Sequence, residues 1–311
     1  MPDNISYTPE EVARILKISR FTVYELIKRG DLAAYRIGRK VRVEQADIDQ
    51  YIQNTKSCVP NLTRSMVQAP DPGGDTQAGL IICGQDLILD TLSQHLEKLL
   101  PQLRFLRRHI GSMDGLSALY HGAANLVTAH LWDGDSGEYN LPYVRRMLPG
   151  HKTVIYNLVH RMEGFYVAKG NPKAIQAWPD LVRPGLRFVN RECGSGARVL
   201  LDEMLRRLQL EPARIAGYDQ EETSHIAVAS RVARGEADFG LGIEKAASQV
   251  AGVDFIPLHK ERYDLIFRKE DLGLPHFQAV LEILRSKGYR DEVTGMGGYD
   301  LSMMGQKIAE V

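Results

Sequence analysis

The stretch FVNRECGSGARVLLDEML, Phe188 to Leu205, sets two arginines around a Gly/Ser loop between a β-prone pair and an amphipathic helix. Glycine admits a ligand to the backbone, and the free N–H groups and dipole at a helix start favour negative charge, so this order builds an anion cradle. Arg191 or Arg198 can present a bidentate fork to an oxyanion or phosphate, and the Ser195 hydroxyl with the Gly194 and Gly196 amides can complete the cradle. The loop lacks a Walker lysine, so nucleotide hydrolysis is not indicated. The competing reading is a plain helix N-terminus with surface arginines.

Three more loops carry suitable groups. CGQD, Cys83 to Asp86, brings a carboxamide and a carboxylate. IGSMDG sets Gly111 and Ser112 between a strand and a helix, where a hydroxyl and backbone amides hold an anion, or where Ser112 is an N-cap alone. AHLWDGDSGEYN places His130 at a strand end, a ligand group or a satisfied structural histidine. Asp86 complicates the anion reading, because a carboxylate facing an oxyanion repels it. Asp86, His130, His225 and Asp238 then serve an organic ligand with donor groups, or support the residues that touch the ligand.

The elements behind these loops follow from hydropathy. GLIICG reads as a buried strand, ILDTLSQHLEKLL as an amphipathic helix, LRFLRRHI as a strand, GLSALYHG as a helix and AANLVTAHL as a strand. That rhythm makes a βαβ series around a largely parallel sheet, with ligands beyond the strands' carboxyl ends. The pattern repeats beyond GFYVAKGNP, which predicts two similar lobes, Leu80 to about Gly164 and about Asn171 to Ile256, joined by crossing strands over a ligand cleft.

The N-terminal text differs. Thr8, Pro9 and Glu11 spell a helix start, with Val12, Ile15 and Leu16 on one face. Ser19 caps a second helix, RFTVYELIKRG, with Val23, Leu26 and Ile27 inward and Gly30 as its stop. A hairpin tipped by GRK and a third helix from about Glu44 to Ile52 follow. Two short helices and a tight turn match a helix-turn-helix. Lys28, Arg36, Arg39, Lys40 and Arg42 supply phosphate contacts, and Arg20, Thr22 and Tyr24 are candidates for base edges. The bland alternative is a protein-binding module with a solvated basic face.

The whole chain bounds these readings. Its 311 residues suit two or three folding units, and 44% hydrophobic with 25% charged residues is ordinary for a globular protein. Net charge is zero, so DNA binding must come from a local patch. Neither a signal peptide nor a membrane-spanning run is legible, and Cys58, Cys83 and Cys193 have neither disulfide nor zinc spacing, so the expected location is cytoplasmic. The Pro/Gly/Asp-rich text over 57–78 predicts a linker between domains at 1–56 and 79–311, with an ordered surface loop as the alternative.

Two resemblances extend this. The segment Tyr7 to Ile52 resembles the winged helix-turn-helix of the excisionase and MerR-like group, carried by SRFTVYELIKRG and the GRKVRV wing. The stretch from about Gly79 to Asp300, in GSMDGLSAL, AHLWDGDSGEYN, VNRECGSGAR, TSHIAVASRVARGEADFGLGI, YDLIF and the terminal GYD, resembles the periplasmic-binding-protein superfamily and its molybdate and tungstate binders. The second resemblance implies a two-lobed α/β clamp of type II, and nominates Ser112, His130, Arg191, Ser195, Gly196, Arg198, Ser224, His225 and Asp238, the last more as a turn residue than a contact. Together they imply a one-component regulator that binds double-stranded operator DNA as a homodimer or higher oligomer. No cofactor is required; the expected ligand is molybdate, tungstate or molybdenum cofactor. A carrier protein and an enzyme built on Cys193 are the other function classes, and no metal site is expected.

Overall fold

The computed structural model describes residues 6–16, 20–29, 32–37, 40–45, 47–48, 51 and 79–311. The chain divides into two compact units, Met1–Thr76 and Gln77–Val311. The segment 57–78, expected to be a linker, lies wholly outside the described residues, as do Ser19, Gly30 and Arg39.

In the first unit, the helix Pro9–Leu16 starts on a capping box. The Thr8 amide donates to Glu11 Oε2 at 2.7 Å, and the Glu11 amide donates back to Thr8 Oγ1 at 3.4 Å. Its inward stripe is Pro9, Val12, Ala13 and Leu16, which is the i, i+3, i+4, i+7 face. Ile15 lies off that stripe and is 42% exposed, contrary to the expected placement. The helix Arg20–Arg29 sets Val23 and Leu26 into the same core, with Leu32, Val43 and Ile48. Strands β2 (Tyr35–Ile37) and β3 (Lys40–Glu44) form the wing hairpin. A strand the sequence did not announce, β1 (Ser6–Tyr7), pairs with β3. Helical positions begin at 45, because Glu44 still belongs to β3.

The second unit is built on one mixed sheet in the order β5-β4-β6-β11-β7-β10-β8-β9. Strands β4 (Gly79–Cys83), β5 (Arg104–Arg108) and β6 (Leu126–Ala129) run parallel and found the first lobe. Strands β8 (Phe188–Arg191), β9 (Glu221–Glu222) and β10 (Phe239–Ile243) run parallel and found the second. Between them pass two antiparallel strands of 16 residues, β7 (Thr153–Ala168) and β11 (Val253–Arg268). The sheet is therefore parallel within each lobe and antiparallel at the crossing. Short strands β12 (Tyr299–Asp300) and β13 (Lys307–Glu310) add to β7.

Each lobe has its own apolar core. Leu80, Ile82, Leu92, Phe267 and Phe277 pack in the first, and Phe165, Trp178, Phe188, Leu201 and Phe239 in the second. Register shifts between Pro257 and His259, and between Tyr263 and Asp264, bracket the place where Glu261 faces Arg161 across the two long strands. A bulge bends and twists a strand, so the pair of them aims charged side chains of the crossing toward the cleft.

Candidate ligand site

Three helices begin at the cleft. The helix Ser112–Tyr120 starts from Gly111, Gly196–Leu208 from Ser195 and His225–Ala233 from Ser224. The Ser195 hydroxyl accepts from the Arg198 amide at 3.3 Å and donates to the Glu192 carbonyl at 2.8 Å. The Ser224 hydroxyl accepts from the Ala227 amide at 3.1 Å. The Met113 amide, in the first turn of Ser112–Tyr120, donates to the Gly194 carbonyl, and first-turn amides without such a partner face solvent or a ligand.

The helix starts enclose a cavity of about 310 Å³, its mouth included. Of the residues singled out in the sequence, Asp86, Gly111, Ser112, His130, Arg191, Ser195, Gly196 and His225 line it, joined by Gly84, Gln85, Ile110, Thr128, Arg161 and Tyr263. Loops from opposite lobes touch: the Met113 amide donates to the Gly194 carbonyl at 3.0 Å, and a side chain on Gly111 would come within 3.2 Å of Ser195 Cα. Gly194 itself takes a left-handed φ of +82°. At Gly196 a Cβ would lie 2.4–2.5 Å from the His130 ring, so glycine is what lets the imidazole lie flat on the helix start. The Ser112 hydroxyl accepts from the His130 amide at 3.3 Å.

Three expectations are corrected. Arg191 lines the cavity, but one edge of its guanidinium is already taken: Nε and Nη2 each donate to the Glu192 carboxylate at 2.7 Å, and Nη2 also reaches Gln85 Oε1 at 2.9 Å. That edge ties the second lobe to the first rather than standing open for an anion. Arg198 lies outside the cavity, because Asp202 one turn on draws it along the helix, Glu221 accepts at 3.0 Å and the Tyr218 ring lies 4.1 Å beneath it. Asp86 does not confront a ligand with free charge. Its Oδ1 accepts from the Ile88 amide at 3.0 Å and the Tyr299 hydroxyl at 2.7 Å, while Oδ2 pairs with Arg161. Ser224 borders a neighbouring chamber, and Asp238 accepts from the Arg187 amide at 2.7 Å in the turn before β10.

The floor of the cavity was missed by sequence reasoning. Arg161, 4% exposed, lies on β7 between Asp86 and Glu261, and the Tyr263 ring is 4.1 Å from its guanidinium. Glu261 accepts from or shares a proton with His130 Nδ1 at 2.6 Å. Burial alone would raise the Glu261 carboxyl, but Arg161 and His130 outweigh it and hold it well below the usual range. The signal in the sequence was a pair of charges, Arg161 and Glu163, inside a mostly apolar strand. Ligating atoms of His130, Glu163 and Glu261 fall within 4.8 Å of one another. The 2.6 Å His130–Glu261 contact is nevertheless too short to hold an ion between ligands about 2 Å from it, and suits a hydrogen bond.

Glu163 is fully buried, no N–H or hydroxyl of the described residues reaches its carboxyl oxygens, and its one side-chain partner is the Glu261 carboxylate. Burial, then the Glu261 charge, pushes its pKa well above the ordinary 4.5, so it keeps its proton. His225 is pushed the other way by burial, Arg191 and Arg161, and stays neutral. A raised carboxyl costs stability once pH exceeds its unfolded value, and the cost grows until the folded value is reached. Glu163→Gln is therefore expected to gain on the natural protein as pH rises from 4.5 toward 8. Denaturant unfolding at both ends of that range measures it, and a gap that stays constant would show that Glu163 does not titrate differently on folding.

In the first unit, Arg20 is exposed, pairs with Glu10 at 2.8 Å and lies 5.6 Å from the Tyr24 ring, which is itself exposed. Arg42 is half-buried on β3. The side chains of Thr22, Lys28, Arg36 and Lys40 lie outside the described residues, as Arg39 does entirely.

Comparison with known proteins agrees with this division. The model of the PBP superfamily domain matches residues 93–285, and that of a helix-turn-helix domain matches residues 6–56. The chain is 44% identical over its full length, and the full length of the relative, to "Uncharacterized protein YvgK" of Bacillus subtilis strain 168. It is 32% identical over 145 residues to the molybdate-binding protein ModA of Mycobacterium tuberculosis strain H37Rv, covering 45% of this chain and 50% of that one. Among solved structures, a Clostridium perfringens ABC-transporter substrate-binding protein with bound phosphate aligns with a TM-score of 0.55 at 13% identity, over 72% of this chain and 99% of its own. A histidine kinase sensor domain with similarity to periplasmic binding proteins aligns at 0.51 and 11% identity, over 73% of this chain and 99% of its own. Those two likenesses concern the fold alone. With a two-lobed unit crossed by β7 and β11, and a matching family model over most of it, the chain belongs to the PBP superfamily and carries that domain behind a helix-turn-helix domain.

Proposed function

We propose that the protein is a one-component transcription regulator, in which the helix-turn-helix unit binds double-stranded operator DNA and the clamp senses a small oxyanion. The ligand class is molybdate or tungstate, or a molybdenum-cofactor-like molecule that carries such a group. The observation that carries this reading is the convergence of two helix N-termini, at Gly111–Ser112 and Ser195–Gly196, on one cavity that His225, the first residue of a third helix, also lines. Asp86 and Glu261 line or underlie it, yet their charge is committed to Arg161, so the donors dominate what a ligand meets. The partial likeness to a molybdate-binding protein supports the same class.

The domains act as 1–56 and 79–311 joined by a linker at 57–78, in a cytoplasmic homodimer, since paired half-sites are the usual route to sufficient operator affinity. No helix among the described residues is long and apolar enough to cross a membrane. The reading involves no catalytic step. Calorimetric titration of the full chain with molybdate, tungstate and sulfate tests it, with Gly196→Val as the control whose side chain would strike His130. Saturable binding of an oxyanion, weakened at least about tenfold in the variant, is expected. Binding that the variant retains in full would place the ion elsewhere.

A further inference from the structure

Beside the cradle lies a second, open chamber, and Gln85, Asp86 and His225 line both. The two chambers differ in chemistry. The first is walled by hydroxyls, amides and buried charge, whereas the second adds an apolar side, Leu87, Ile226, Ile243, Ala246 and the Tyr299 ring, to the polar groups of Ser224, Lys245 and Gln249. Two large apolar side chains face it from opposite lobes. Leu87, 43% exposed, follows Asp86 in the first lobe, and Ile226, 46% exposed, follows His225 in the second.

Single exposed apolar residues are ordinary on a protein surface. These two are not scattered: each is the residue next to a cradle residue, and both border the same chamber. His225 stands in the shared wall, is nine-tenths buried, and its Nδ1 has no hydrogen-bond partner among the described residues. A bare tetrahedral ion would satisfy the helix starts and leave this second chamber and its apolar lips unused. Apolar walls beside a few convergent polar groups suit an organic molecule.

We infer that the natural ligand is an organic oxyanion, whose anionic head sits in the cradle and whose largely apolar body lies in the adjoining chamber between Leu87 and Ile226. This rests on the oxyanion reading of the cradle and narrows it to ligands with a carbon body, for which burial against Ile243, Ala246 and the Tyr299 ring supplies affinity that an inorganic ion cannot reach. His225, held neutral, presents a hydrogen-bonding ring at the junction of head and body without adding charge.

The test uses probes that share a head and differ in body. The full chain is titrated calorimetrically with molybdate, with inorganic phosphate and with phenyl phosphate, and so are Ile226→Ser and Leu87→Ser. The natural protein should bind phenyl phosphate about tenfold or more tighter than inorganic phosphate, and each variant should bring that ratio toward one. Equal affinity for the two phosphates, with molybdate or phosphate bound, would overturn the organic body and leave the oxyanion cradle intact. An advantage for phenyl phosphate that both variants keep would also overturn this placement. Failure of all three probes to bind the natural protein would overturn the cradle and the inference together.

Discussion

Replacing Arg161 by methionine is expected to destabilise the Gln77–Val311 unit by about 3–5 kcal/mol, the cost of breaking a buried ion pair by removing one partner. For a unit of this size that lowers the melting transition by roughly 10 °C. The cause is specific. Arg161 is the cation between Asp86 and Glu261, all three nearly or fully buried, and without it two carboxylates remain in a low-dielectric floor. Burial opposes the guanidinium charge, but Glu261 and Asp86 outweigh that and raise its pKa further. If this account is right, adding Asp86→Asn and Glu261→Gln to Arg161→Met should recover much of the loss, because no unpaired charge then remains. Calorimetric or fluorescence-monitored melting of the single and triple variants decides it. A single variant within a degree or two of the natural protein would mean the cluster is not holding the crossing together.

The second large effect lies in the other unit. Arg20→Ala and Tyr24→Ala should each weaken binding to a selected DNA duplex about tenfold or more, since these side chains stand exposed at the start of the second helix, where base edges are read. Both are surface positions outside the apolar core of Val12, Val23, Leu26 and Val43, so the fold should be kept. Arg42→Ala, a phosphate-type contact, should weaken binding across sequences alike and shallow the salt dependence by about one unit of slope. Fluorescence anisotropy on duplexes selected from a random pool reads all three. Unchanged affinity in Arg20→Ala and Tyr24→Ala together would remove the second helix as the reading element.

How the sequence could foresee some of this and not the rest follows from range. The helix starts were legible because they are local: Thr8 with Glu11, Ser195 before Gly196, and Ser112 after Gly111 each advertise a cap or a turn within four residues. The βαβ rhythm placed those starts on one edge, and the structure gathers eight of the eleven ligand-site residues around a single cavity. The floor was hidden because its pairings are distant, Arg161 lying 75 residues from Asp86 and 100 from Glu261. No periodicity reports which buried charge meets which.

Arg191 and Arg198 show the opposite limit. Their type and spacing announced anion forks, yet Glu192 takes one edge of the first and Asp202 with Tyr218 turns the other along its helix. Competing partners one or four residues away were visible as letters, but only packing decided that they win. Ile15 in the first unit failed for a related reason: a helix of eight residues has too few turns to separate neighbouring faces by pattern alone.

Coupling between the units is the central claim, and a ligand can only shift DNA affinity by as much as it prefers one clamp state over another. The most direct test is anisotropy of the full chain on a selected duplex, with and without saturating oxyanion, using molybdate first and then the ligand retained by protein from its own cells. The account predicts a change in DNA affinity of about fivefold or more, in either direction, that disappears in Gly196→Val. Equal affinity with and without a ligand that calorimetry shows to be bound would contradict it, leaving a DNA reader and a binding clamp that do not speak to each other.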